Sequence, residues 1–256
     1  MLIKLYRFFR KQFNYKKIKI INWWKCFKSK KKLKKYKNLH LGQRCFIVGN
    51  GPSLTVEDLE KLKNEITFGT HQIYNIFNFT NWRPTYYCAQ DCELIQKSIE
   101  EISNLNVKDK FIALIKNRHY NKINDATYVN ISLENFFPNP PQFSNNIING
   151  IYEGFTVSYM CIQIAIYMGF KEIYLLGIDH NYKITLSSDG NIVTNDNVKN
   201  HFSDNYALTN IPQLHKSTLA YIAAKNYAEN YNIKILNATR GGNLEVFNRI
   251  DFDDLF

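Results

Sequence analysis

Short apolar runs alternate with stretches of helical period from residue 44 to the end of the chain. The runs at 45–48, 66–69, 85–89, 111–115, 127–131, 172–176 and 233–236 are rich in β-branched and aromatic residues and are bounded by turn formers, which predicts strands. Between them, 56–63, 92–104, 156–168 and 217–230 carry helical spacing. Alternation of this kind predicts an α/β, Rossmann-like domain: a mostly parallel sheet with helices on both faces. The stretch 156–168 is apolar nearly all round, so its helix should be deeply buried. The stretch from about 181 to 212 is polar and aperiodic, and a connection this long reads as a lid.

In open α/β sheets ligands sit beyond the carboxyl ends of the strands, so the residues after each run are the ones to inspect. After the first run come Gly49, Asn50, Gly51, Pro52 and Ser53. Without a Cβ, Gly51 would let a ligand approach its backbone, and Ser53 or Thr55 would cap a helix facing an anion. The bend is neither a dinucleotide fingerprint, because its third position is Leu54, nor a P-loop. Thr70, His71 and Gln72 follow the second run, Gln90 and Asp91 the third, and Asp179, His180, Asn181 and Tyr182 the sixth. Thr156 opens the buried helix. His215, between the lid and the last helix, is the candidate general base.

Charge divides the 256-residue chain unevenly. Residues 1–44 hold 16 of its 33 Lys and Arg and no acid, leaving 17 bases against 22 acids in the rest. Residues 1–41 therefore read as a basic, aromatic-rich amphipathic extension to a catalytic domain at 42–256. Trp23 and Trp24 beside the lysine run 28–37 suit an anionic membrane surface better than nucleic acid, for which the chain shows no fold signature. No apolar stretch reaches the roughly 18 residues of a membrane span and no secretory signal is evident. The expected location is cytoplasmic, peripheral on the inner face of the cell membrane. Cys26, Cys45, Cys88, Cys92 and Cys161 lack zinc spacing and read as reduced thiols, so no metal site is expected from them.

Two motif sets then extend the reading. GNGPSL at Gly49–Leu54 and YMCIQIAIYMGFKEIYLLGID at Tyr159–Asp179 resemble the bacterial sialyltransferases of the Campylobacter type. GIYEGFTVSYM at Gly150–Met160, GIDHNY, NHFSDNY and NATRGGNLEVF at Asn237–Phe247 resemble proteins with a domain like MptE, the 6-hydroxymethylpterin pyrophosphokinase. The first resemblance implies a glycosyltransferase with a CMP-type donor such as CMP-sialic acid, a metal-independent inverting transfer and a glycan or lipid-linked acceptor. It places Asn50, Gly51, Ser53, Gln72, Gln90 and Thr156 around the donor, with His215 as base and Tyr182 helping the phosphate depart, and the strand-end residues Gly49, His71, Asp91 and Asp179 join them as candidate donor contacts. His71 and Glu153 depart from that family's pattern. The second resemblance implies a diphosphokinase that moves pyrophosphate from ATP with Mg²⁺, for which Asp91 and Asp179 are the candidate ligands. A third reading is a membrane-associated binding module without chemistry. Whether the chain forms a homo-oligomer stays open.

Overall fold

The computed structural model describes residues 24–25, 27–115, 123–203, 205–206 and 209–256. Most of the expected amphipathic extension, with Cys26, lies outside the described residues.

All eight strands of the main sheet run parallel, in the order β10-β7-β1-β2-β3-β4-β5-β6. They are β1 (Arg44–Val48), β2 (Thr67–Thr70), β3 (Tyr86–Ala89), β4 (Asp109–Ile115), β5 (Ala126–Ser132), β6 (Ile151–Tyr152), β7 (Glu172–Leu176) and β10 (Lys234–Asn237). The expected α/β, Rossmann-like architecture is therefore present. Side chains alternate between two cores: Cys45 and Ile47 enter one, Phe46 and Val48 the other. Burial on both faces explains why the runs read as continuous apolar segments.

Helices cover both faces. α5 (Val157–Tyr167) and α6 (Leu214–Asn230) pack on one, and α2 (Val56–Lys61), α3 (Cys92–Lys97) and α4 (Ile99–Asn104) lie over the other. Every α5 residue except Ile166 is buried, as its all-round apolarity requires. Its one buried amide, Gln163, is fully used: Oε1 accepts from the Ser144 and Tyr152 backbone N–H groups, and Nε2 donates to the Tyr152 and Tyr159 carbonyls.

The structure revises several boundaries. The helix expected at 92–104 breaks at Ser98, whose ψ of 28° leaves the helical range, and continues as α4. α6 begins at Leu214 rather than 217. The two-residue β6 is too short to show an alternation. The lid holds an antiparallel hairpin, β8 (Ile184–Leu186) with β9 (Ile192–Thr194).

Residues 27–34 form helix α1, and with the turns that follow they are part of the domain. Leu33 and Tyr36 are buried in the α5 core. The Tyr36 hydroxyl donates to Asp109 Oδ2 at 2.8 Å, and Tyr167 OH donates to the Leu33 carbonyl at 3.2 Å. Reading the lysines as a run hid the apolar positions between them, which recur at helical spacing.

Candidate active site

Strand order reverses between β1 and β7. From β1 the chain steps outward through β2 to β6 on one side, and β7 and β10 fill the other. Loops leaving two such strands diverge and open a crevice at their carboxyl ends. Here the crevice is a cavity of about 90 Å³. Gly49–Gly51 and Gly177–Tyr182 line its floor, Thr70 and His71 one wall, and Phe155–Ser158 another. Asn200, His201 and Tyr206 of the lid close it from above, while Ser217 and Tyr221 of α6 complete it.

The glycine bend has a specific cause. The Gly49 N–H donates to Leu176 O and the Gly51 N–H to Gly177 O, both at 2.8 Å, so the two floor segments zip together past the end of the sheet. A Cβ on Gly49 would run into the Gly177 carbonyl, and one on Gly51 would meet that same carbonyl at 2.8 Å and the Asp179 carboxylate closer still. The expectation that Gly51 is bare to admit a ligand is thus corrected: the chain's own β7 extension fills the space. Thr55 caps α2 by accepting from the Asp58 N–H.

Asn50 is held in one orientation, because its Nδ2 donates to Thr70 O at 2.9 Å and Thr70 Oγ1 at 3.1 Å. Among the described residues no donor reaches its buried Oδ1. Such an acceptor costs about 1–3 kcal/mol unless something pairs with it. Asp179 is the cavity's one carboxylate, and no Lys or Arg lines it among the described residues. Its Oδ2 accepts from Ser53 Oγ at 2.8 Å. Burial raises its pKa, opposed by the bonds from Ser53. Opposite stands the N-terminus of α5, where Thr156 Oγ1 accepts from the Ser158 N–H. That end carries the positive pole of the helix.

Three histidines line the cavity, and burial lowers each to a pKa of about 4: His71, His180 and His201. His71 Nε2 faces the Gln90 N–H at 3.4 Å, His180 Nε2 pairs with Thr218 Oγ1 at 2.8 Å, and the His201 ring stacks on Tyr206. All three are neutral imidazoles at neutral pH. Burial also raises the pKa of Tyr182, with Tyr221 and Asp179 adding to it. His71, Phe155 and His180 have φ of 46°, 55° and 52°. Left-handed backbone at non-glycine residues is costly and gathers where geometry is over-determined, and here three such residues border one cavity.

Of the residues singled out from sequence, Gly49, Asn50, Gly51, His71, Thr156, Asp179 and Tyr182 line the cavity. Ser53, Gln72, Gln90, Asp91 and His215 do not. Ser53 acts behind Asp179, and Gln90 lies behind His71. Gln72 is buried at the cap of a 3-10 turn. Asp91 caps α3 through Oδ1, and its Oδ2 accepts from Thr209 Oγ1 at 2.6 Å and Asn210 Nδ2 at 2.5 Å, so it fastens the lid. His215 packs edge-on against Phe137, ring centroids 5.0 Å apart. The reason is helical phase: Ser217 and Tyr221, four apart, face the cavity, and a residue two before Ser217 points about 200° away. The candidate base therefore stands outside the cavity. Thr70 and His180, which the sequence offers only as polar residues at strand ends, line the cavity too, and sequence reasoning missed Ser158, His201 and Tyr206 as lining residues. Ser158 lies two residues after Thr156, and the last two belong to NHFSDNY, a motif noted only as a family mark.

The class the structure defines is an α/β, Rossmann-like domain with a polar crevice at the switch point of its sheet. More narrowly, residues 17–185 match the family described as 6-hydroxymethylpterin diphosphokinase MptE-like, and the chain belongs to that family. The solved structure of the MAf glycosyltransferase from Magnetospirillum magneticum AMB-1 shares the fold, with a TM-score of 0.52 and 14% identity over 90% of this chain. The chain spans 39% of that larger protein. No curated protein matches the chain.

Proposed function

We propose that this chain is a nucleotide-dependent transferase that moves a diphosphate group from a nucleoside triphosphate to the hydroxyl of a small hydroxymethyl-bearing heterocycle such as a pterin. The observation that carries this reading is the chemistry of the floor: a lone carboxylate, Asp179, and an unpaired amide oxygen, Asn50 Oδ1, face the N-terminus of α5 inside the family-matched span. In the transfer, the acceptor oxygen bonds to the β-phosphorus, the α–β bridging bond breaks, the nucleoside monophosphate leaves, and the acceptor proton passes to solvent.

Chemistry of this kind implies Mg²⁺. Such ions take oxygen ligands, often one or two carboxylates plus substrate phosphates, and rarely a dedicated protein cage. Among the described residues no three His, Cys, Asp or Glu gather as a metal cage. The Asp179 carboxylate with the orphaned Asn50 oxygen fits the sparser requirement. When bound, the ion would offset charge on the phosphate oxygens. The protein supplies the rest. The α5 N-terminus and the hydroxyls of Ser158, Ser217 and Tyr182 would donate to phosphate oxygens. His180 and His201, neutral, would accept or donate single hydrogen bonds without adding charge. A cavity of about 90 Å³ is smaller than the roughly 300 Å³ at which ligand pockets begin, so the lid opens to load the donor.

Glycosyl transfer is the second reading. The shared fold with a glycosyltransferase supports it. It would use a CMP-type donor, CMP-sialic acid among them, and a glycan or lipid-linked acceptor without metal, and His215 could serve as base only if the start of α6 turned. Incubation with ATP and Mg²⁺ plus a hydroxymethylpterin, followed by chromatography, separates the two. Release of AMP, abolished by EDTA, is expected. Release of CMP from a CMP-sugar, indifferent to EDTA, would instead select the second reading.

A further inference from the structure

Helix α1 and the turns after it run along the amino ends of the strands, the edge opposite the cavity. Lys32 Nζ meets Asp109 Oδ1 at 2.8 Å, where β4 starts. The Tyr128 N–H donates to Ser29 Oγ at 2.8 Å near the start of β5. The Asn38 and His40 N–H groups donate to the Tyr167 and Met168 carbonyls, at the last turn of α5. Ser29, Leu33, Tyr36 and His40 form the buried stripe of this segment.

The outward side is of another character. Lys28, Lys30, Lys31, Lys34, Lys35 and Lys37 are all exposed, and none has an ion pair among the described residues. At the head of the helix Trp24 and Phe27 are 52% and 58% exposed, with rings edge to face at 6.3 Å. Six exposed lysines, four on the docked helix α1 and two in the turn after it, beside two exposed aromatic rings match the headgroup zone of an acidic bilayer. Charge alone would also suit nucleic acid, but the solvent-facing aromatic pair favours lipid.

We infer that this face docks the protein on an anionic membrane surface with the cavity turned away from it. α5 sets the geometry. Its N-terminus borders the cavity and its C-terminus holds the basic segment, so its 11 residues separate the two by about 16 Å along the axis. A membrane-bound molecule would present its crevice to the aqueous side, which suits a soluble small-molecule acceptor better than one lying flush with the bilayer. The docking inference itself stands independently of the proposed reaction.

Sedimentation of the full chain with phosphatidylcholine vesicles, with and without about one third phosphatidylglycerol, tests it. Binding is expected only to the acidic vesicles. It should weaken as salt shortens the Debye length from about 8 Å at 0.15 M to about 3 Å at 1 M. Replacing Lys30, Lys31, Lys34 and Lys35 with Glu, all exposed and outside the core, should lower binding at least about tenfold while circular dichroism stays unchanged. Trp24→Ser with Phe27→Ser should weaken binding less and leave its salt dependence intact. Equal binding by the four-fold variant, equal pelleting with neutral vesicles, or tighter binding to a DNA duplex than to acidic vesicles would overturn the inference.

Discussion

The floor and the roof of the cavity are built by opposite means. The floor is a direct extension of two central strands, zipped by backbone hydrogen bonds from Gly49 to Leu176 and from Gly51 to Gly177. The roof is a polar excursion whose hairpin residues Ile192 and Val193 are exposed. Among the described residues it is tied down by Phe202 N–H to Asn50 O at 3.0 Å, by Thr209 and Asn210 to Asp91, and by side-chain bonds of His201 and Tyr206 to the backbone at Asn50 and Gln72. The floor is held by the sheet itself, and the roof by side-chain and loop bonds laid over it.

Acid should break that division most severely. Burial lowers the pKa of His71 in the wall, His180 on the floor and His201 in the roof to about 4, against an ordinary 6.5. The unfolded chain therefore binds more protons between those values. Stability should be flat above about pH 6.5 and fall as pH drops toward 4, by up to about 1.4 kcal/mol per pH unit for each histidine. Urea unfolding across that window measures it, and a flat profile would show the imidazoles reach solvent in the folded state. Next in size, Gly51→Ala should cost the floor about 2–3 kcal/mol through overpacking against Gly177 O and Asp179, again read by urea unfolding. Asp179→Asn keeps the shape and an acceptor for Ser53, so stability should barely move while turnover falls about a hundredfold. Turnover equal to the parent would remove Asp179 from the machinery.

The smallest change targets the roof alone. Thr209→Val deletes one of the lid's bonds to Asp91, worth about 1 kcal/mol. Limited proteolysis within 181–212 should accelerate about fivefold at unchanged global stability. Unaltered cleavage would mean that the lid is held elsewhere. Burial raises the Asp91 pKa, and the bonds from Thr209, Leu94 and Asn210 outweigh that and depress it below 3.8. Its contribution is therefore present above about pH 3.8 and is lost only as pH falls below that value.

The floor was more legible in sequence than the roof, for physical reasons. Buried parallel strands need apolar runs, and a chain crossing that leaves no room for a Cβ needs glycine, so β1, β7 and the bend between Gly49 and Gly51 announced themselves. What sequence could not show was the object filling that room: a carboxylate 128 residues on from Gly51, at Asp179, rather than a ligand. The roof carries no core and so leaves no periodic trace, and its hairpin and His201 went unread. His215 was misplaced for a subtler reason. Its position in the chain, beside the lid, was right for a base, but orientation depends on where α6 starts, and a three-residue shift in that start turns the face. In residues 27–41, net charge masked four inward positions that dock the segment to β4, β5 and α5.

One property of the core offers a clock for these movements. Cys45, Cys88 and Cys161 are unbridged and fully enclosed, while Cys92 at the start of α3 is only half covered. Among the described cysteines, a thiol-modifying reagent should therefore reach Cys92 well before the other three. The slow stage would time whole-domain opening from within, without any introduced label.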